Sequence, residues 1–132
     1  MKIPKIFKLL IFIFISFRCA ADSCPAGDFD NFSRIFINDV EVQTRYTMKP
    51  VNIVFYQDLD DDVKEVKESR FFKLSDFPIV SIKGNDGERE VKIDKNNLVV
   101  DINGNDAGYQ VSLSFSEKDK CWYLVKITDH SM

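Results

Sequence analysis

Apolar residues after position 27 recur first at helical spacing and then at strand spacing. The helical part is a mainly aromatic stripe at steps of three and four: Phe29, Phe32, Phe36, Val40 and Gln43. Asp28 or Asp30 can cap this helix, because a short carboxylate accepts hydrogen bonds from the free backbone N–H groups of a first turn. The pattern predicts one long N-terminal helix whose aromatic stripe is core.

After Pro50 the apolar period changes to two. The stretch "VNIVFYQ" is rich in the β-branched and aromatic residues that strands favour. Three turn-forming stretches separate further alternating segments: "DLDDD", Asn85-Asp86-Gly87 and Asn103-Gly104-Asn105. About six strands joined by hairpins follow from this pattern. We therefore predict an α+β domain in which the helix covers one face of an antiparallel sheet.

The last strand, "CWYLVKI", carries apolar residues on both faces. Strict alternation places Trp122, Leu124 and Lys126 on one face, and Tyr123, Val125 and Ile127 on the other. A strand with two apolar faces is typical of the middle of a sheet.

The first 21 residues have the pattern of a secretory signal peptide. Lys2, Lys5 and Lys8 precede the apolar run "LLIFIFISF", and the small residues "CAA" follow. We expect cleavage after Ala21, which leaves residues 22–132 as a single exported α+β domain, periplasmic or secreted, with no membrane span. Two alternatives are a retained N-terminal anchor and lipid attachment at Cys19, although Arg18 stands where lipidation expects a small residue.

Cleavage would make the remaining chain strongly acidic. It removes four of the 18 basic residues and none of the 21 acidic ones, so 14 basic residues remain and the formal charge becomes −7. A field of this sign repels phosphate backbones, so we expect no nucleic-acid partner. A basic protein surface or a small cationic ligand is compatible with it.

Two cysteines remain after cleavage, and an exported domain usually pairs them. We predict a structural disulfide between Cys24 and Cys121. The alternative is a nucleophile site built from Cys121 and His130. An extended chain would separate those two residues by roughly 30 Å, far beyond hydrogen-bond reach.

The other chemical motifs of the chain are incomplete. Asp58, Asp60 and Asp62 have the spacing of the first ligands of a calcium loop, but Val63 and Ser69 occupy the positions that need Gly and Glu. We expect a solvated turn, no metal site and no cofactor. A pocket carboxylate with Tyr46, Tyr56 or Tyr109 remains available for proton transfer.

Two stretches of the chain resemble a known fold class: Phe29-x2-Phe32-x3-Phe36-x6-Gln43-x-Arg45 followed by Pro50, and Trp122-x-Leu124-x2-Ile127-x-Asp129. This pattern resembles small exported bacterial domains of unknown function in the nuclear-transport-factor-two-like (NTF2-like), cone-shaped α+β class. The resemblance implies a curved sheet wrapped around the helix, with a pocket at its open end. Gln43 and Arg45 would either line the mouth of that pocket or hold the helix end by hydrogen bonds.

These observations favour an exported, non-catalytic binding or interaction domain whose partner is an unidentified protein or small ligand. One version is a periplasmic immunity-type protein that blocks a delivered toxin with a basic enzyme cleft. A further possibility is an envelope-maintenance protein whose partner is another envelope protein. The alternative is a small enzyme of the cone-shaped class that uses a pocket carboxylate and a tyrosine.

Overall fold

The computed structural model describes residues 23–84, 87–105 and 108–131. The predicted signal peptide, its cleavage site and Cys19 lie outside these residues. Two helices come first, α1 (Phe29–Asn38) and α2 (Val40–Arg45). The strands follow in chain order: β1 (Thr47–Leu59), β2 (Asp62–Arg70), β3 (Lys83–Gly84), β4 (Gly87–Glu88), β5 (Glu90–Asp94), β6 (Val99–Asn103), β7 (Gln110–Lys118) and β8 (Cys121–Asp129).

The prediction of one long helix is wrong, because the helix is interrupted at Asp39. Asp39 has extended backbone angles, and its carboxylate accepts hydrogen bonds from the N–H groups of Glu41 and Val42, so it ends α1 and caps α2. Because α2 begins anew after Asp39, its residues do not continue the apolar face of α1. The Val40 side chain, which was predicted to be core, is 46% exposed. At the other end the expected cap is present, since Asp28 accepts from the N–H of Asn31 at 2.8 Å.

The α+β class is confirmed, with a curved six-stranded sheet in the order β2-β1-β8-β7-β6-β5. The prediction of an antiparallel sheet is wrong at one pair, because β1 and β8 run parallel. Strands β5 to β8 form an antiparallel meander. Its last strand, β8, lies next to β1 and runs in the same direction as β1. Alternation predicts strands, but it carries no information on which distant strand pairs with which. β3 and β4 form a separate two-residue ribbon.

β8 lies in the middle of the sheet, as its two apolar faces indicated, but its facing changes along its length. Ser114 pairs with Lys126 whereas Phe115 pairs with Leu124, so Val125 is an extra residue in the ladder. A bulge of this kind shifts the alternation by one position. Ile127 is therefore buried in the core and Lys126 is exposed, the reverse of the predicted faces.

Aromatic rings fill the space between α1 and the sheet. Phe32 is fully buried, and its ring contacts four others: those of Phe36, Tyr46, Phe115 and Trp122, with centroids 5.5–6.0 Å apart. Several pairs meet edge to face, which is a favourable geometry for aromatic quadrupoles. The aromatic stripe of the first helix is therefore core, as its spacing predicted.

The Cys24–Cys121 disulfide joins the lead-in of α1 to the first residue of β8, with the two Cα atoms 5.4 Å apart. Trp122, the next residue of β8, lies against Phe29 at 5.9 Å between ring centroids. The bond therefore tethers the start of the helix beside the strand on which it packs.

The turn between β5 and β6 contains no glycine and was not among the predicted turns. Asp94 forms it by accepting hydrogen bonds from the side chain and N–H of Asn97 and from the N–H of Asn96. These bonds, chiefly the one from the Asn97 side chain, hold the pKa of Asp94 below its usual value of 3.8. Because that pKa is depressed on folding, its contribution to stability is present at neutral pH and is lost as pH falls through the folded-state pKa.

Replacing both cysteines with alanine (Cys24→Ala with Cys121→Ala) should lower the free energy of unfolding by about 2–5 kcal/mol. The closed loop spans 97 residues, so its loss releases a large chain entropy in the unfolded state. Denaturant unfolding of the oxidised protein, the reduced protein and the double variant measures this. Equal stability of all three, or two free thiols in the unreduced protein, would contradict the structural role of the bond.

Candidate functional site

Gln43 is buried and binds the backbone of a neighbouring segment through both ends of its side-chain amide. Its Nε2 donates to the carbonyl oxygen of Val80 at 3.2 Å, and its Oε1 accepts from the N–H of Ile79 at 2.7 Å. Its own carbonyl oxygen accepts from the Thr47 hydroxyl at 2.6 Å. The structure therefore places Gln43 as a clamp between α2, the start of β1 and the segment after Pro78.

Arg45, two residues further along, is exposed in the last turn of α2. It lines an open groove of about 900 Å³, which we call the α2 groove: Val40, Glu41, Thr44, Arg45, Thr47, Met48, Lys49, Leu74 and Tyr123. The two polar residues singled out in the sequence thus separate, one inside the fold and one on a surface concavity.

Three exposed apolar side chains line the α2 groove. Val40 is 46% exposed, Met48 36% and Leu74 79%. Leu74 lies on a short 3-10 turn over Leu74–Asp76, which Asp76 fixes by accepting from the N–H of Lys73. Exposed apolar side chains together with the charged residues Glu41, Arg45 and Lys49 resemble the composition of a protein-binding patch. Sequence spacing could not find this patch, because Val40 had been assigned to the core.

A second open groove, of about 580 Å³, lies on the sheet face opposite α1, and we call it the sheet groove. Cross-strand register explains its lining, since Tyr56 of β1 pairs with Glu65 of β2 and Asn52 of β1 lies between Ser69 and Lys126. Tyr56 stacks on His130, with ring centroids 5.2 Å apart and planes 18° from parallel.

Charged groups in the sheet groove are mostly near opposite charges. Lys67 Nζ lies 4.0 Å from Glu65 Oε1, and Arg70 forms an ion pair with Glu68. The Ser69 hydroxyl donates to Asn52 Oδ1 at 3.1 Å. A phenol, a carboxylate and an imidazole thus meet on one exposed face. From the sequence, His130 was considered only as a partner of Cys121 and was not connected with Tyr56. The backbone N–H of His130 donates to the Gln110 carbonyl oxygen, which extends the ladder of β8.

The remaining sequence candidates have clear positions. Cys121 is bound in the disulfide and therefore offers no thiol to His130. Asp58 and Asp62 belong to β1 and β2, and Asp60 lies between them in the tight turn with φ of 49°. Within residues 23–84, 87–105 and 108–131, no group of three His, Cys, Asp or Glu side chains is arranged to hold a metal ion. In the same ranges no helix has both the length and the apolar character needed to cross a membrane.

Comparison with solved structures supports the fold class. A crystal structure of an NTF2-like protein from Bacteroides fragilis NCTC 9343 superposes with a TM-score of 0.56 at 24% sequence identity. The match covers 84% of this chain and 50% of that one, so this chain spans half the length of the protein it matches. No family model and no curated protein matches the sequence. The resemblance to the NTF2-like class is confirmed, and at this identity it shows the fold alone.

Replacing Gln43 with methionine should lower the free energy of unfolding by about 1–3 kcal/mol. Methionine keeps the length of the side chain but leaves the Ile79 N–H and the Val80 carbonyl without their partner. Arg45→Ala is the matched control on the same helix, and its exposed side chain predicts a change within about 0.5 kcal/mol. Denaturant unfolding measures both variants; a Gln43→Met protein as stable as the control would refute the clamp.

Proposed function

We propose that this chain is an exported, non-catalytic binding domain that docks a protein through the α2 groove. The proposal rests on the exposed apolar side chains of Val40, Met48 and Leu74, which line one groove together with charged residues. Burying such side chains against a partner removes apolar area from water, which is the main favourable term in association. Arg45 adds a side chain that is enriched among the strongest contributors at interfaces.

Two further observations support the proposal. The space between α1 and the sheet is occupied by aromatic rings, so the concavities available to a partner lie on the outside. The disulfide and the lack of a membrane-crossing helix within the described ranges are compatible with export. Under this proposal the partner is a protein that presents an apolar anchor.

The immunity-type version names a basic toxin as that partner. With residues 1–21 removed, the chain has 14 basic and 21 acidic residues. The excess of acidic residues would speed encounter with a basic enzyme cleft. The envelope-maintenance version would instead give a partner of the same cell envelope. Both versions use the same groove and differ in the identity of the captured protein.

A second candidate is a small enzyme that works in the sheet groove. Its specific support is the meeting of Tyr56 with Glu65 across two strands and with the ring of His130. A phenol and a carboxylate side by side suit proton transfer. This candidate requires Tyr56 for activity and leaves the α2 groove without a role.

The test is capture from envelope extract with the disulfide-intact protein, followed by calorimetric titration of the purified partner. Leu74→Asp and Met48→Asp should each weaken binding by about tenfold or more, because a charge enters an apolar contact. Leu59→Asp is the matched control, since Leu59 is 50% exposed, between Met48 at 36% and Leu74 at 79%, but lies on the β1–β2 hairpin.

Equal weakening by the groove variants and the control would contradict docking at the α2 groove. Failure to capture any stoichiometric protein would contradict the binding proposal itself. Loss of binding in Tyr56→Phe, with the α2 variants unaffected, would transfer the site to the sheet groove.

A further inference from the structure

The edge strand β2 carries a charge pattern that is complementary to itself. Its sequence is "DVKEVKESR", with Val66 at the centre. Each charged residue has the opposite charge at the mirrored position: Asp62 with Arg70, Lys64 with Glu68, and Glu65 with Lys67. The remaining mirrored positions, Val63 and Ser69, are uncharged. A strand of this kind can face an antiparallel copy of itself with every charge opposed by its counter-charge.

Because β2 is an edge strand, its charge pattern is accessible to another strand. β2 lies at the end of the six-stranded sheet, with β1 as its neighbour among the described strands. Most of its side chains are exposed; Lys67, for example, has 74% of its side-chain surface accessible. Its charges now form the pairs Glu65–Lys67 and Glu68–Arg70 along the same strand. Exposed pairs of this kind are weak, so exchanging their partners costs little.

Backbone geometry allows the register centred on Val66. In an antiparallel ladder every second residue points its N–H and C=O away from the neighbour already present. The mirrored positions 65 and 67, and likewise 63 and 69, differ by an even number. Both members of each pair therefore point their backbone groups the same way, which is the condition for two such strands to bond.

The neighbouring registers of the two β2 strands place like charges opposite each other. A shift of two positions in one direction sets Lys67 against its own copy and Lys64 against Arg70. The opposite shift sets Glu65 against its own copy and Asp62 against Glu68. Like charges directly opposite each other destabilise a strand pair, so the sequence of β2 selects one register and disfavours the adjacent ones. Charges on an edge usually prevent pairing altogether, whereas here their order specifies one partner.

We propose that two copies of this chain associate through β2, antiparallel and with the two-fold axis at Val66, so that their sheets become continuous. The contact is isologous, with the same strand contributing from both copies. It brings Glu65 and Lys67 of each sheet groove against the second copy, while the α2 groove remains on a different surface. The proposal is therefore independent of the function proposed above.

The test is sedimentation velocity of the disulfide-intact protein over a concentration series at low salt. The wild type should dimerise, and Lys67→Glu should raise the dimer dissociation constant by about tenfold or more, because two attractive pairs become repulsive. Glu65→Lys should do the same. Raising the salt concentration should weaken the wild-type dimer, since exposed charges are screened.

Two rescues distinguish this register from a general effect of charge. An equimolar mixture of the Lys67→Glu and Glu65→Lys proteins should form heterodimers, and the double variant carrying both changes should regain the homodimer. Lys92→Glu, the same change on the opposite edge strand β5, is the matched control and should leave the dimer intact. A wild type that stays monomeric up to the millimolar range, or a mixture that associates no better than its components, would overturn the proposal.

Discussion

The packing of α1 against β7 and β8 holds this fold together. Phe32 is fully buried at its centre, in contact with the rings of Phe36, Tyr46, Phe115 and Trp122. Removing such a side chain typically costs about 3–5 kcal/mol, which is a large part of a small domain's stability. The Cys24–Cys121 disulfide holds the same helix beside the same strand, so covalent and apolar forces act at one contact.

That packing also determines which surfaces of the domain are open to a ligand or a partner. The NTF2-like resemblance implied a pocket at the open end of the sheet, whereas aromatic side chains fill the space between α1 and the sheet. Two open grooves of the described residues lie outside this core: one beside α2 with exposed Met48 and Leu74, and one on the opposite face of the sheet beside Tyr56 and His130. Under the function proposed above, a protein partner would bind at the groove beside α2.

The sequence predicted the features that arise from local periodicity. The aromatic core of α1, the cap at Asp28, the β1–β2 hairpin, the central place of β8 and the cysteine pair are all present in the structure. The predictions that were wrong concern features that depend on single residues or on contacts between distant segments. Asp39 restarts the helix, Val125 shifts the facing of β8, and the parallel pairing of β1 with β8 joins segments far apart in the chain.

The candidate sites were predictable only in part, for the same reason. Arg45 does lie in a groove, but its apolar neighbours Met48 and Leu74 come from separate elements that no spacing rule connects. Gln43 fitted the apolar stripe, yet its amide binds the backbone of residues 79 and 80, more than thirty residues away. His130 became a site residue through stacking on Tyr56, which requires the register of β1 with β8.

We infer that the space between α1 and the sheet is a solid core and not a ligand pocket. Xenon is a direct probe, because dry apolar cavities take it up and packed cores do not. Crystals of the wild type and of Phe32→Ala, both pressurised with xenon, make the comparison. We predict xenon beside Phe115 and Trp122 in the variant and none there in the wild type; xenon between α1 and β8 of the wild type would contradict the account.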